Sequence, residues 1–217
     1  MKQISIIDYG CGNIRSVYNA FDSVIEKKKS RVIITSKKTE IINSSHIVLP
    51  GVGSFKSCVD GLINSRLLET ITNRVLLEGV PFLGICVGMQ MLASKGYENG
   101  VLDGLGWIPG KVKKLKKTKQ IIKIPHMGWN NLKIEKDSTF LKKLNLKTQL
   151  SDVSAYFVHS YNFITDENKN KIMTTHYGQE ITAMIAKGNI IGTQFHPEKS
   201  HNFGLKFLET FIQSEEF

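Results

Sequence analysis

Apolar residues in this chain come in short runs broken by glycine-rich turns, and their spacing changes character halfway along. Gln3 to Asp8 reads as a buried strand, and Gly10-Cys11-Gly12-Asn13 turns it into an amphipathic helix on which Ile14, Val17, Ala20, Phe21 and Val24 recur at helical spacing. Arg31 to Thr35 is a second strand with a short helix after it, and His46 to Leu49 a third that stops at Pro50-Gly51-Val52-Gly53. Two apolar helical patterns fill residues 55 to 78. Pro81 to Ile85 is the strongest strand, expected to be central, with a helix from Val87 to about Ser94 behind it. From Trp107 onward the runs are strand-like, at 107 to 124, 153 to 158, 171 to 176, 181 to 186 and 190 to 195, before a closing helix from about His201 to Ile212.

Strand and helix alternate in the first half, which predicts a parallel sheet; the second half reads as β-rich and mixed. No repeat, proline-rich linker or low-complexity tract divides the chain, so one α/β domain is expected over residues 1–217, with helices on both sheet faces. The apolar runs are too short for a membrane span. The amino terminus lacks a basic start and a long apolar stretch, since Asp8 interrupts the first run, so a cytoplasmic location is expected.

Lysine and arginine exceed aspartate and glutamate by 29 − 19 = 10. Much of that excess lies in Lys27 to Lys29 and in Lys111 to Lys123, where Val112, Leu115, Ile121 and Ile122 give a loosely strand-like pattern and a solvated hairpin is expected. No zinc-finger spacing, aromatic RNA-binding signature or helix-turn-helix accompanies it, so nucleic acid is not an expected partner. The three cysteines, Cys11, Cys58 and Cys86, are too few and too unevenly spaced for a disulfide framework, which leaves thiol chemistry as the way a cysteine would matter.

One of them stands in a telling place. Gly84-Ile85-Cys86-Val87-Gly88 joins the end of the best strand to the start of a helix, the setting of a nucleophile elbow with cysteine in place of serine. Glycines two residues to either side leave room where side chains would clash, and the helix start favours a thiolate. A buried structural cysteine would fit the same five residues. The balance shifts at Gln194-Phe195-His196-Pro197-Glu198, where a strand ends in a histidine and a carboxylate separated by one proline. Proline holds His196 extended, so side chains 196 and 198 share one side and Glu198 can orient the imidazole toward a thiol. In α/β folds catalytic groups gather at the carboxyl ends of strands, where both segments fall although 110 residues separate them. Cys86, His196 and Glu198 then form nucleophile, base and orienter. His46, His126, His176 and His201 are read as locally satisfied side chains.

A tetrahedral intermediate needs donors for its oxyanion, and the N–H of Val87 and one from Gly51-Val52-Gly53 are on offer, although that loop would equally serve as a plain strand-ending turn. Metal binding finds no support, because no CxxC, HxxxH or carboxylate cluster is present, and no cofactor is called for.

GICVGMQ at 84–90 and FHPEKS at 195–200 resemble the two signatures of class I, triad-type glutamine amidotransferases. IDYGCGNIRSV (7–17), LPGVGSF (49–55), PHMGWN (125–130) and YFVHSY (156–161) further resemble the HisH family, the glutaminase subunits of imidazole glycerol phosphate synthases, and the likeness spans almost the whole chain. That resemblance implies a flavodoxin-like sheet and hydrolysis of glutamine to glutamate and ammonia. It also implies a (β/α)8-barrel cyclase partner (HisF family) that receives the ammonia. It places Gln90, Glu98, Ser160 and Tyr161 around bound glutamine, Val52 and Gly53 with Val87 at the oxyanion, and Tyr156, Lys199, Trp129 and Asn130 near the subunit interface and ammonia entrance. Ser54 to Cys58 and the basic 111–123 stretch depart from the pattern, which leaves open a paralogous role supplying ammonia for surface-sugar amidination.

Overall fold

The computed structural model describes residues 1–117, 123–145, 153–215 and 217. Its first half runs β1 (Lys2–Ile7), α1 (Ile14–Val24), β2 (Ser30–Thr35), α2 (Lys38–Ile42), β3 (His46–Gly51), α3 (Phe55–Asn64), α4 (Leu68–Thr72), β4 (Phe82–Cys86) and α5 (Val87–Gln90). The second half adds β5 (Lys95–Gly96), β6 (Leu102–Asp103), β7 (Gly110–Lys114), β8 (His126–Asn131), β9 (Lys133–Ile134), α6 (Thr139–Asn145), β10 (Ser154–His159), β11 (Tyr161–Thr165), β12 (Lys171–His176), β13 (Glu180–Lys187), β14 (Ile190–Thr193) and α7 (His201–Gln213).

An eight-stranded sheet in the order β2-β1-β3-β4-β14-β13-β12-β9 forms the centre. From β2 to β14 neighbours are parallel, and β13, β12 and β9 continue antiparallel. The crossover from β1 to β2 runs one way along the sheet and that from β3 to β4 the other. Right-handed connections therefore put α1 and α3–α4 on opposite faces. Covered twice, the central strands bury successive residues rather than alternate ones: Ile47, Val48 and Leu49 in β3, and Phe82 and Leu83 in β4, are all fully buried. Register sets the carboxyl ends level, with Gly51 of β3 beside Cys86 of β4 and Thr193 of β14 beside Ile85. Side chains that follow β3, β4 and β14 therefore emerge together.

The helix expected from Val87 to Ser94 is shorter, ending at Gln90. The carbonyls of Met91, Leu92 and Ala93, just beyond it, accept from the backbone of Leu105, Ile108 and Gly106. The following loop thus satisfies carbonyls that a helix ending at Ser94 would itself have left without a donor. The expected strand at 107–124 is β7 alone among the described residues, and Ile121 and Ile122 lie outside them. Nor does β7 fold back on itself as a hairpin: it pairs antiparallel with β11 and parallel with β5. Strands β8 and β11 and helix α6 were not anticipated.

Candidate active site

The turn from β4 to α5 holds Cys86 at φ +55°, ψ −109°, a conformation that a residue with a Cβ rarely adopts. Backbone packs tightly on both sides of it. A Cβ on Gly84 would lie 2.6 Å from the Gly88 carbonyl oxygen, and one on Gly51 would lie 2.6 Å from the Gly88 nitrogen. No side chain fits there, so the glycines follow from close backbone approach.

His196 follows β14 with φ −98° and ψ 100°, extended as the next proline requires, and its Nδ1 lies 2.8 Å from Glu198 Oε1. Both side chains are almost wholly buried. His196 Nε2 is buried and has no hydrogen-bond partner among the described residues. Burial disfavours its charged form, but Cys86 and Glu198 outweigh that and raise His196 to about 10. An imidazolium between a thiolate and a carboxylate is what an activated cysteine nucleophile requires. The Cys86 Sγ itself contacts the Val158 carbonyl oxygen at 3.8 Å and Gln194 Nε2 at 3.7 Å.

A cleft of about 310 Å³ opens onto the sulfur, lined among others by Val52, Gly53, Val87, Gln90, Glu98, Ser160, Tyr161 and His196. Its size sits near the lower end of roughly 300–1,000 Å³ for small-molecule pockets. Gly53, at φ +103°, carries the β3–α3 loop along the rim. Glu98 accepts a hydrogen bond from Phe55 N at 2.5 Å and so ties the start of α3 to the cleft. Gln90 donates to the Tyr161 carbonyl at 3.1 Å and to Gln194 Oε1 at 2.9 Å, which commits its amide nitrogen within the protein. Only its oxygen remains for a ligand.

The four residues expected at an interface separate into two groups. Pairing of β8 with β10 sets Trp129 opposite Tyr156 and His126 opposite His159. On one face Trp129 stands edge-on to Tyr156 and stacks flat on His201, with centroids 4.6 Å apart, while Lys199 Nζ lies 5.6 Å over the Tyr156 ring. The Tyr156 carbonyl accepts from His196 N at 2.9 Å, which joins this exposed cluster to the site. Asn130 faces the other way, donating to the His176 carbonyl at 2.8 Å and meeting His126 Nε2 at 3.3 Å.

His126 and His159 were not foreseen as a pair. His159 Nδ1 lies 2.8 Å from the Tyr161 carbonyl, which only accepts, so the ring nitrogen there carries the proton. His159 Nε2 then accepts from His126 Nδ1 at 2.9 Å. Burial holds His126 down to about 4 and His159 to about 3, keeping both neutral. Nothing in the local sequence announces this, because the pairing depends on β8 and β10 lying side by side. Gln194 was also missed, although a signal existed: it lies two positions before His196, and extended chain puts alternate residues on one side. Among the described residues no group of three or more metal-ligating side chains forms a metal site.

The family model of class-I glutamine amidotransferases matches residues 5–214. The chain is 46% identical over 211 residues to the imidazole glycerol phosphate synthase subunit HisH of Pelagibacter ubique, covering 96% of this chain and 98% of that one. It is 42% identical to the HisH subunit of Zymomonas mobilis, covering 96% and 94%, and 44% identical to HisH 2 of Methanococcus maripaludis, covering 97% and 98%. Among solved structures, PurLQS from Thermotoga maritima superposes with a TM-score of 0.69 at 16% identity over 98% of both chains. The acivicin-bound glutaminase domain of CTPS from Trypanosoma brucei gives 0.65 at 16% identity, covering 99% of this chain and 95% of that one. At such identities these two likenesses speak for the fold alone.

Proposed function

The chain belongs to the class-I glutamine amidotransferases and, within them, to the HisH family, and from that premise we propose that it is the glutaminase subunit of an imidazole glycerol phosphate synthase. The observation that carries the reading is the meeting of Cys86, strained at a strand-to-helix turn, with the buried His196–Glu198 pair at one cleft.

In this reading Cys86 Sγ attacks the side-chain amide carbon of glutamine, and the negative charge that develops on the amide oxygen is met by the N–H of Val87 and by one from the Val52–Gly53 loop. His196 is protonated at neutral pH, since its pKa is raised to about 10, so it serves first as the acid that releases ammonia. Deprotonated by that step, it then takes a proton from water as water attacks the thioester, and collapse of the resulting intermediate expels the Cys86 thiolate, which yields glutamate and restores the thiolate–imidazolium pair. Glu198 keeps Nε2 aimed at the reacting atoms throughout. Gln90, through its free oxygen, and Glu98, Ser160 and Tyr161 hold the amino-acid end of glutamine.

The cluster of Trp129, Tyr156 and Lys199 is the proposed contact with a (β/α)8-barrel cyclase that takes the ammonia, with Asn130 supporting it from the opposite face of β8. The cyclase reaction then forms imidazole glycerol phosphate and AICAR in histidine biosynthesis. No cofactor enters the glutaminase step. Among the described residues no helix is long and apolar enough to cross a membrane, and we place the enzyme in the cytoplasm as one domain.

The test is glutamate release from glutamine by this chain mixed with its organism's histidine-pathway cyclase, with and without the cyclase's ribonucleotide substrate. Stimulation by both, lost in Cys86→Ala, is expected. Hydrolysis elicited only by another barrel partner would move the ammonia to a different acceptor and leave the chemistry standing.

A further inference from the structure

Gln194 reaches the sulfur of Cys86 and has no part in the scheme above. It is fully buried. Its two ends lie 3.7 Å from Cys86 Sγ and 2.9 Å from Gln90 Nε2. Which end is nitrogen follows from the neighbours, because a side-chain amide must satisfy donors with acceptors. The Tyr161 carbonyl only accepts, so the Gln90 atom 3.1 Å from it is the nitrogen. The second hydrogen of that nitrogen goes to Gln194, whose facing atom must be the oxygen. The other end of Gln194, against Sγ, is therefore an N–H donor. Tyr161 is itself held by a further donor, His159 Nδ1 at 2.8 Å, so the carbonyl that orders the series is doubly anchored.

We infer that Gln194 is a dedicated donor to the Cys86 thiolate, with its orientation keyed through Gln90 to the Tyr161 carbonyl. In the thiol form Sγ donates to the Val158 carbonyl at 3.8 Å. Once the proton has passed to His196, that carbonyl faces a like charge and contributes nothing, whereas the Gln194 N–H now meets a full negative charge. Hydrogen bonds to ionised acceptors are roughly twice as strong as neutral ones, and burial strengthens them further. Stabilisation therefore grows with charge on sulfur, both in the resting ion pair with His196 and when the thioester expels thiolate. Gln90 gains a second role, since the residue proposed to hold the substrate also sets the donor on the nucleophile.

The inference rests on Cys86 being the nucleophile, so its test reads the thiolate directly rather than turnover alone. Iodoacetamide alkylation of the full chain is followed against pH by mass spectrometry of the Cys86 peptide, for wild type, Gln194→Leu and Gln194→Glu. In Gln194→Leu the alkylation midpoint is expected to rise by about one pH unit or more, with kcat for glutamine falling about tenfold and KM little changed. Gln194→Glu, which sets a carboxylate against the sulfur, should raise the midpoint further. Midpoints equal to wild type in folded variants would overturn the inference, whatever happens to activity. Should neither variant fold, the Gln194 side-chain amide resonances of the wild-type protein must shift over the pH range of alkylation, and immobile resonances overturn it equally. Glutamate release surviving in Cys86→Ala would instead mark failure of the parent reading.

Discussion

Gly88 and Leu49 touch backbone to backbone: a Cβ on Gly88 would lie 1.9 Å from the Leu49 carbonyl oxygen. The first turn of α5 is pressed onto the end of β3, and this contact lets Cys86 project over the sheet edge beside the Val52–Gly53 loop. One glycine thus links the fold to the geometry of the proposed nucleophile.

Gly88→Ala is expected to cost about 3 kcal/mol or more, or to prevent folding, because both partners are backbone and neither can swing aside. Urea unfolding measures it. A midpoint close to wild type with an unchanged m-value would show that α5 slides freely over β3.

Glu198→Ala should reduce kcat for glutamine about a hundredfold or more with KM nearly constant, since an imidazole without its orienter no longer presents Nε2 to the reacting atoms. The result that counts against this is a loss confined to KM, which would make Glu198 a ligand of substrate.

Three buried histidines predict acid sensitivity. Burial holds His46 and His126 down to about 4 and His159 to about 3. Their folded values lie below the unfolded value of roughly 6.5. The unfolded chain then binds protons first, so their contribution is complete above about pH 6.5 and is lost as pH falls from there toward the folded values. His159→Gln should lower the slope of unfolding free energy against pH by about one proton in that window. An unaltered slope would show that His159 titrates alike in both states.

His196 acts with the opposite sign. Its folded value of about 10 lies above the unfolded one, so its stabilisation is fully present below about pH 6.5 and is lost as pH rises through 10. Unfolding free energies of wild type and His196→Asn should therefore converge on raising the pH from 7 to 10. Curves that stay parallel would mean that no thiolate–imidazolium pair forms in the folded protein.

Trp129→Ala tests the proposed partner surface. Trp129 is 46% exposed yet stacked on His201, a pre-ordered aromatic of the kind that anchors interfaces. Cyclase affinity measured by calorimetry should fall about tenfold or more. Unchanged affinity would move the contact elsewhere.

The parts of this protein legible in its sequence are those that near neighbours decide. Gly84, against Gly88, and the proline between His196 and Glu198 act through backbone clashes and restricted dihedrals within a few residues, and so the tight strand-to-helix turn at Cys86 and the histidine–carboxylate pair could be read without coordinates, although what Gly88 packs against, Leu49, could not. Alternation of strand and helix likewise foretold the parallel sheet, because each crossover is a local unit. What lay beyond reading depends on segments far apart in the chain. The loop at 105–108 bonds to the carbonyls that follow α5, β7 pairs with β11 instead of a local partner, and β8 beside β10 creates the His126–His159 pair. Gln194 shows the boundary between the two: alternation puts it on the side of His196, but only packing against Gln90 and the Tyr161 carbonyl decides that its amide turns a donor, rather than an acceptor, toward the sulfur.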